Sequence, residues 1–552
     1  MRDWSELLTQ LTEQKLTDFH AAGYWGDIRL CHQLDAAAER DPDRVAVVDR
    51  NGRTSYRELA ELSRVVAAGL AELGVEEGDL VAWQLPNRVE LIVLVAACSR
   101  LGAVFNALPP IFREREVSVM LGLGRPTVLV TVDSFRGFGH AKMMTMLRDG
   151  LPSVRQLVVI DGEAPEEGLS WSELLAAGTR RIAGAGFTDA ATSADAVAQL
   201  AFTSGTTGEP KGVLHTHNTL LYGGRVIVER RELASDGVYH MASTLGHQTG
   251  MLFGVLAPIR LGATIVLQDV WDAGEYLDLV ESEGVTMTNG ATPYLQDTLE
   301  HPEFASRDLS SVRQVGCFGS GFPTPLAIRA RRELPEVDFY GIWGMTEVGL
   351  GTSHNRTDPL EVVSRTDGIA RSPIEVRILS DDLTTVLGTD EVGEMVVRGP
   401  SRHVGFLQPG LAPVHFLSGD WYVTGDRGRI NADGYLVMSA RSKDIIIRGG
   451  ENIPVVEVED LLLAHPDVHS VAVVAVPDER LGERACACLV LRAGASFGVA
   501  DLREWLREHK LTPHFWPEFV QVYDEFPVTP SGKIKKFTLR EQVADLSRSP
   551  DD

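Results

Sequence analysis

Short apolar, β-branched runs alternate with helical spacing through the first four hundred residues of the chain. Residues 44–48, 80–84, 127–132 and 156–160 read as strands. Between the first two, Tyr56, Leu59, Leu62, Val65, Val66 and Leu70 recur at near-helical spacing, which predicts a helix over 55–73 with Gly74 as its stop. This alternation predicts α/β layers with largely parallel sheet. The most apolar stretch, residues 91–98, lies between Glu90 and Arg100. It is far shorter than the roughly 20 residues that cross a bilayer, so it reads as a buried helix.

A second unit begins after the turn signal Asn431-Ala-Asp-Gly434. A helix near 456–464, strands near 470–476 and 485–491, and a helix near 500–509 suit a small α+β domain. The expected division is a large N-terminal α/β domain over 1–440, a junction at 441–443 and a small C-terminal domain over 444–552.

The length of 552 residues, 44% apolar and 23% charged, also exceeds what one core supports. A net charge of −25 repels nucleic acid and anionic lipid, so any anionic ligand has to be gripped locally. The five cysteines are odd in number and form no Cys-x-x-Cys pair, which suits a reducing cytoplasm. The opening Met1-Arg-Asp-Trp-Ser-Glu6 carries charge where a secretory signal needs an apolar core, so a cytoplasmic location is expected.

Candidate chemistry starts at Thr203, Ser204, Gly205, Thr206, Thr207 and Gly208, ahead of Lys211. Small residues there let backbone N–H groups and hydroxyls wrap phosphate oxygens, and Lys211 adds a point charge. The pattern is not a Walker A loop, because Lys211 stands between Pro210 and Gly212. Taken alone, the segment is equally a flexible turn.

The longer run, Ala-Phe-Thr203-Ser-Gly-Thr-Thr-Gly-Glu-Pro-Lys211-Gly-Val-Leu-His-Thr-His217, closely resembles the signature of the adenylate-forming superfamily: acyl-CoA synthetases, peptide-synthetase adenylation domains and luciferases. The resemblance implies a large α/β domain with a small mobile α+β domain behind it, and Mg²⁺, ATP and coenzyme A as the reaction's partners. Further matches follow in the family's order. Gly319, Ser320 and Gly321 fall in the loop along which adenosine and the acyl group lie. Gly341, Trp343, Gly344, Met345, Thr346 and Glu347 form an aromatic, hydroxyl and carboxylate cluster. By resemblance Trp343 stacks on adenine in place of the usual Tyr, Thr346 meets the α-phosphate and Glu347 ligates Mg²⁺. Asp426 matches the acceptor of the ribose hydroxyls, Arg441 a further ribose contact and Lys443 the hinge. Gly449, Gly450, Glu451 and Asn452 match the loop that lines the pantetheine tunnel. Lys533, in Ser531-Gly-Lys-Ile534, matches the lysine that bridges acid and α-phosphate. The acyl pocket is expected from His247, Gln248, Met251, Gly319 and Gly344.

The chemistry so implied is attack of a carboxylate on the α-phosphate of ATP, with Lys211, Thr346 and Lys533 sharing the developing charge, then thiolysis by coenzyme A. Adenylation alone, with the acyl group passed to a carrier protein or partner ligase, is an alternative. So is a nucleotide-binding pseudoenzyme, although it would not need both Lys533 and Glu347. Gln248, where amino-acid-activating relatives carry an Asp, favours an uncharged acid. The runs Ala107-Leu-Pro-Pro-Ile-Phe-Arg-Glu-Arg-Glu116 and Thr512-Pro-His-Phe-Trp-Pro517 look most like medium-chain and cyclohexanecarboxylate-type CoA ligases. A hydrophobic acid, bulky and alicyclic or medium-chain, is the expected substrate, with a terpenoid acid of an antibiotic pathway of the platensimycin kind as a refinement. Oligomeric state does not follow from the residues.

Overall fold

The computed structural model describes residues 4–546 except 165, 167, 204–209, 319–323, 412–414, 442–445, 528–533 and 535. The calls on Ser204, Gly205, Thr206, Thr207, Gly208, Gly319, Ser320, Gly321, Lys443 and Lys533 therefore lie outside the described residues.

Local sequence decides most elements directly. Strands form at Leu80–Gln84 and Gln156–Ile160 as expected. The helix Tyr56–Glu72 starts where the Ser55 hydroxyl accepts from the Glu58 N–H and the Glu58 carboxylate reaches back to the Ser55 N–H. The apolar segment at 91–98 extends into a longer helix, Val89–Leu101, buried on nearly every side and closed by Gly102 at φ 68°.

The large domain holds two eight-stranded sheets. One runs in the order Gly349–Ser353, Asp338–Met345, Gln314–Phe318, Met287–Ala291, Val238–Met241, Thr264–Leu267, Val45–Asp49, Gly52–Ser55. The other runs Gly405–Phe406, Lys211–Thr216, Val197–Thr203, Val104–Leu108, Leu80–Gln84, Val128–Val132, Gln156–Ile160, Leu169–Ser170. Both are parallel through their centres and turn antiparallel toward an end, as at Asp338–Met345 with Gly349–Ser353 and at Val197–Thr203 with Lys211–Thr216. A third, five-stranded sheet is antiparallel throughout and contains Trp421–Ile430 paired with Leu436–Arg441. Two of its connections, from Phe416–Leu417 into Trp421–Ile430 and from there into Leu436–Arg441, are short turns, which bring strands together antiparallel. Asn431 builds one, its side-chain oxygen accepting from the N–H groups of Asp433 and Tyr435.

The small domain is α+β, as read from the sequence. Its longest strands, Val468–Asp478 and Gly482–Leu491, form an antiparallel pair whose side chains alternate between two cores. Val471, Val473, Ala485, Ala487 and Leu489 pack on one side with Val458 and Leu502. Ala472, Val474, Cys486 and Cys488 pack on the other with Leu539 and Val543 of the last helix. Those two cysteines are therefore core residues.

Burial holds several histidines neutral: among them His140, His215, His240 and His514 are brought down to about 4, and His217 to about 3. Between their folded values and the ordinary 6.5, the unfolded chain binds protons that the native chain refuses. Stability from this source is complete above pH 6.5 and falls as pH drops toward 4. Thermal unfolding followed across that window should show a falling Tm; a flat profile would contradict the neutral histidines. Among the described residues no helix is long and apolar enough to cross a membrane.

Candidate active site

The carboxyl ends of strands from both large sheets open onto one cavity of about 310 Å³. Thr203 closes one of these strands and Met345 another, with Thr346 and Glu347 following directly. All four line the cavity, together with Lys211, Gly344 and Asp426. Lys211 is buried with Nζ 3.0 Å from His415 Nε2. The end of the phosphate segment is fixed by Gln408, whose amide donates to the Pro210 carbonyl at 2.8 Å and accepts from the Gly212 N–H at 3.0 Å.

The segment Thr346-Glu347 is held from behind. His215 Nε2 donates to the Thr346 carbonyl at 2.8 Å. The His403 backbone N–H and its Nδ1 both donate to the Glu347 carbonyl, at 2.8 and 3.0 Å. Tyr422 donates its hydroxyl to Glu347 Oε1 at 3.2 Å, and burial together with that carboxylate keeps its proton bound far above the ordinary range. Burial also keeps both histidines neutral. Sequence reasoning missed His215, His403, Tyr422 and Gln408, since a single buried His or Tyr carries no signal of what it holds.

Three expected site residues, Trp343, Gly341 and Met251, stand off the cavity wall. Trp343 does not line the cavity. Ile342, Gly344 and Met345 of this strand line the cavity, across a register shift between Trp343 and Gly344, while the Trp343 ring packs against Gly351. Its indole N–H donates instead to Asp426 Oδ2 at 3.0 Å. Gly341 is likewise off the wall, its N–H and C=O both engaged by His354. Met251 is wholly buried, and its neighbours Leu252 and Phe253 line the cavity instead. A π-helical turn, Leu252–Leu256, changes the phase of the helix there. Gln248 does line the cavity, and its buried amide oxygen has no hydrogen-bond partner among the described residues.

Arg441 is placed by backbone register directly opposite Asp426. Beyond it the chain enters the small domain, where Gly449 and Gly450, at φ 58° and 88°, turn the strand Ile446–Arg448 into Glu451–Ile453. Gly450 and Glu451 line the same cavity, and Glu451 Oε2 lies 3.4 Å from His247 Nε2 across the domain boundary. Burial raises the Glu451 carboxyl above the usual carboxylate value, against the pull of His247.

Further contacts join the two domains in this position. Arg115 pairs with Glu457 at 2.8 Å, Arg480 with Asp297 at 2.9 Å, and Thr512 donates both its N–H and its hydroxyl to Glu116. The Phe112 and Phe515 rings lie 6.1 Å apart. The two sequence runs around 107–116 and 512–517 thus meet across the boundary.

Residues 34–407 match the AMP-binding enzyme family, and residues 457–533 match the AMP-binding enzyme C-terminal domain. The chain belongs to the AMP-binding enzyme family. This AMP-binding enzyme is 35% identical over 535 residues to a medium-chain fatty-acid–CoA ligase of Escherichia coli (strain K12), covering 96% of this chain and 93% of that one. It is 31% identical over 528 residues to a 2,3-dihydroxybenzoate-AMP ligase of Bacillus subtilis (strain 168), covering 95% of each. Among solved structures, the amide bond synthetase McbA from Marinactinospora thermotolerans matches with a TM-score of 0.83 and 27% identity, over 93% of this chain and 99% of that one. The adenylate-forming superfamily implied by the motifs is the family found.

Proposed function

We propose that this enzyme activates a hydrophobic carboxylic acid with ATP and transfers the acyl group to coenzyme A. The observation that carries the proposal is one cavity walled from both domains: Thr346, Glu347 and Asp426 on one side, Gly450 and Glu451 on the other. Nucleotide-binding groups and the candidate tunnel loop therefore face a common space.

Asp426 takes the ribose hydroxyls, oriented by the Trp343 N–H, with Arg441 beside it. Thr203, Lys211, Thr346 and the loop at 204–208 hold phosphate oxygens. Glu347 suits a magnesium ion: it is a buried carboxylate on the cavity wall, anchored through one oxygen by Tyr422, and Mg²⁺ takes few protein carboxylates beside phosphate oxygens. Bound there, the ion would neutralise phosphate charge.

In the first step a carboxylate oxygen bonds to the α-phosphorus and the bond to pyrophosphate breaks. Lys533 and Lys211 offset the charge that builds on the oxygens. The small domain then turns about Lys443. A thiolate sulfur attacks the acyl carbonyl, and the C–O bond to AMP breaks. The pairing of Glu451 with His247 latches the domain in that second position, with Gly449, Gly450 and Asn452 along the tunnel.

Phe202, Leu252, Phe253 and Phe318 give the acyl region an apolar wall, in which the Gln248 amide oxygen has no hydrogen-bond partner among the described residues. A bulky hydrocarbon acid with one hydrogen-bonding substituent suits that wall, because an unmet buried acceptor costs about 1–3 kcal/mol. Alicyclic, terpenoid and medium-chain acids, with and without a hydroxyl, form the test panel. Acid-dependent release of AMP with matching loss of CoA thiol is the expected result. If acyl-adenylate accumulates while CoA stays intact and a carrier protein or an amine is acylated instead, the CoA assignment is wrong.

Trp343→Phe keeps an aromatic ring, though a smaller one, and removes the N–H that orients Asp426. KM for ATP should rise roughly tenfold, in line with the ~1.5 kcal/mol of a hydrogen bond to a charged group, with KM for the acid unchanged. Steady-state kinetics in each substrate separate the two.

A further inference from the structure

The N-terminal arm lies ahead of the residues matched to the family, yet it docks behind the nucleotide site. The Trp25 indole donates to the Pro400 carbonyl at 3.0 Å, and the Gln10 N–H donates to the Val404 carbonyl at 3.0 Å. From the helix Glu13–Ala21, Lys15 buries its ammonium 3.0 Å from the carboxylate of Asp420. Asp420 also accepts from Arg402, a wholly buried guanidinium stacked 4.6 Å over the Phe416 ring. Arg402 in turn donates to the His403 carbonyl at 3.0 Å, and His403 holds the Glu347 carbonyl through two N–H groups.

Two costs fall on this route. Asp420 adopts φ 66°, the left-handed region that side chains other than glycine rarely occupy. Lys15 is removed from water, and that burial, with Arg402 nearby, brings its ammonium down to about 7 against the opposing pull of Asp420. A surface ion pair between Lys and Asp would fix the arm without either cost. Both are concentrated on a chain of contacts that ends at the carboxylate-bearing residue of the cavity.

We propose that Lys15, Asp420 and Arg402 form a positioning triad that fixes Glu347 through His403, so that the N-terminal arm takes part in metal–nucleotide binding. The proposal rests on the reading of Glu347 as the metal-holding residue. It makes Lys15 a positioning residue, distant from the reacting atoms; a partner bonded directly to a metal ligand is worth about 10- to 100-fold in metal affinity, and this more distant contact is expected to reach the low end of that range.

The test uses the full chain with Lys15→Met, Lys15→Arg and Asp420→Asn. Hydrogen exchange in the ligand-free protein reads the brace itself, at the His403 amide that bonds to the Glu347 carbonyl. Binding of Mn²⁺ with a non-hydrolysable ATP analogue, followed by electron paramagnetic resonance, reads the metal site. Lys15→Met and Asp420→Asn should speed exchange at His403 and weaken Mn²⁺ binding about tenfold. Lys15→Arg should restore both, and nucleotide affinity without metal should stay near wild type. Faster exchange with unchanged Mn²⁺ affinity would reduce the triad to a structural contact and overturn the proposal. Should Lys15→Met fail to fold, Asp420→Asn carries the same two readouts. If Glu347→Gln leaves Mn²⁺ binding intact, the assignment of Glu347 is what fails, and the proposal falls with it.

Discussion

Lys533→Ala lowers acid-dependent ATP–pyrophosphate exchange by about a hundredfold to a thousandfold, the range seen when one charge-stabilising group is removed from a reacting centre. Two anions meet in that step, the acid and the α-phosphate, and the cavity itself brings further negative charge in Glu347 and Asp426. The chain as a whole carries −25, so the cations that make the step possible are local ones. ATP binding, measured calorimetrically, stays close to wild type, because Asp426 and the Thr346 segment are untouched. Thioester formation from supplied acyl-adenylate also persists, since it uses the other position of the small domain. Unchanged exchange in this variant would remove Lys533 from the first step.

Gly450→Val has the opposite selectivity. Gly450 sits at φ 88° in the two-residue turn, and a β-carbon there would lie 3.3 Å from the Ala291 β-carbon. A branched side chain is strained in that region by about 2 kcal/mol, and it also fills the space between the loop and the large domain. Thioester formation from acyl-adenylate should slow roughly tenfold, through the side chain that crowds Ala291 only in this position of the small domain. Exchange with pyrophosphate should be preserved, because the first step needs the loop elsewhere. Rapid-mixing thiol detection measures the second step directly. Equal losses in both half-reactions would mean that the turn serves folding of the small domain rather than thiolysis.

Much of the fold is local and was legible. The strands at 80–84 and 156–160, the capped helix from Tyr56 and the α+β tail follow from periodicity and stop signals within a few residues. What escaped is pairing. The antiparallel third sheet joins segments whose partnership depends on turns and on neighbours remote in sequence. The candidate site divides the same way. Contiguous motifs led to Thr346, Glu347 and Asp426, which line one cavity. The groups that hold them, His215, His403 and Tyr422, come singly from three distant segments and resemble ordinary core residues in sequence. At Trp343 and Met251, which neighbour faces the cavity depends on a register shift in strand pairing in one case and a π-helical turn in the other, and neither is visible in the sequence.

The strand Trp421–Ile430 carries Tyr422 and Asp426 and follows directly on Asp420, whereas the apolar wall draws on Phe202, the turn at Leu252–Leu256 and Phe318, three separate elements. The nucleotide side draws on four strands in turn, at Thr203, Lys211, Met345 and Asp426, but the apolar wall shares only the first of these, through Phe202. On the proposed reading, Leu252, Phe253 and Phe318 are the wall positions away from those phosphate-side strands, which makes them the place to begin laboratory evolution toward new acids.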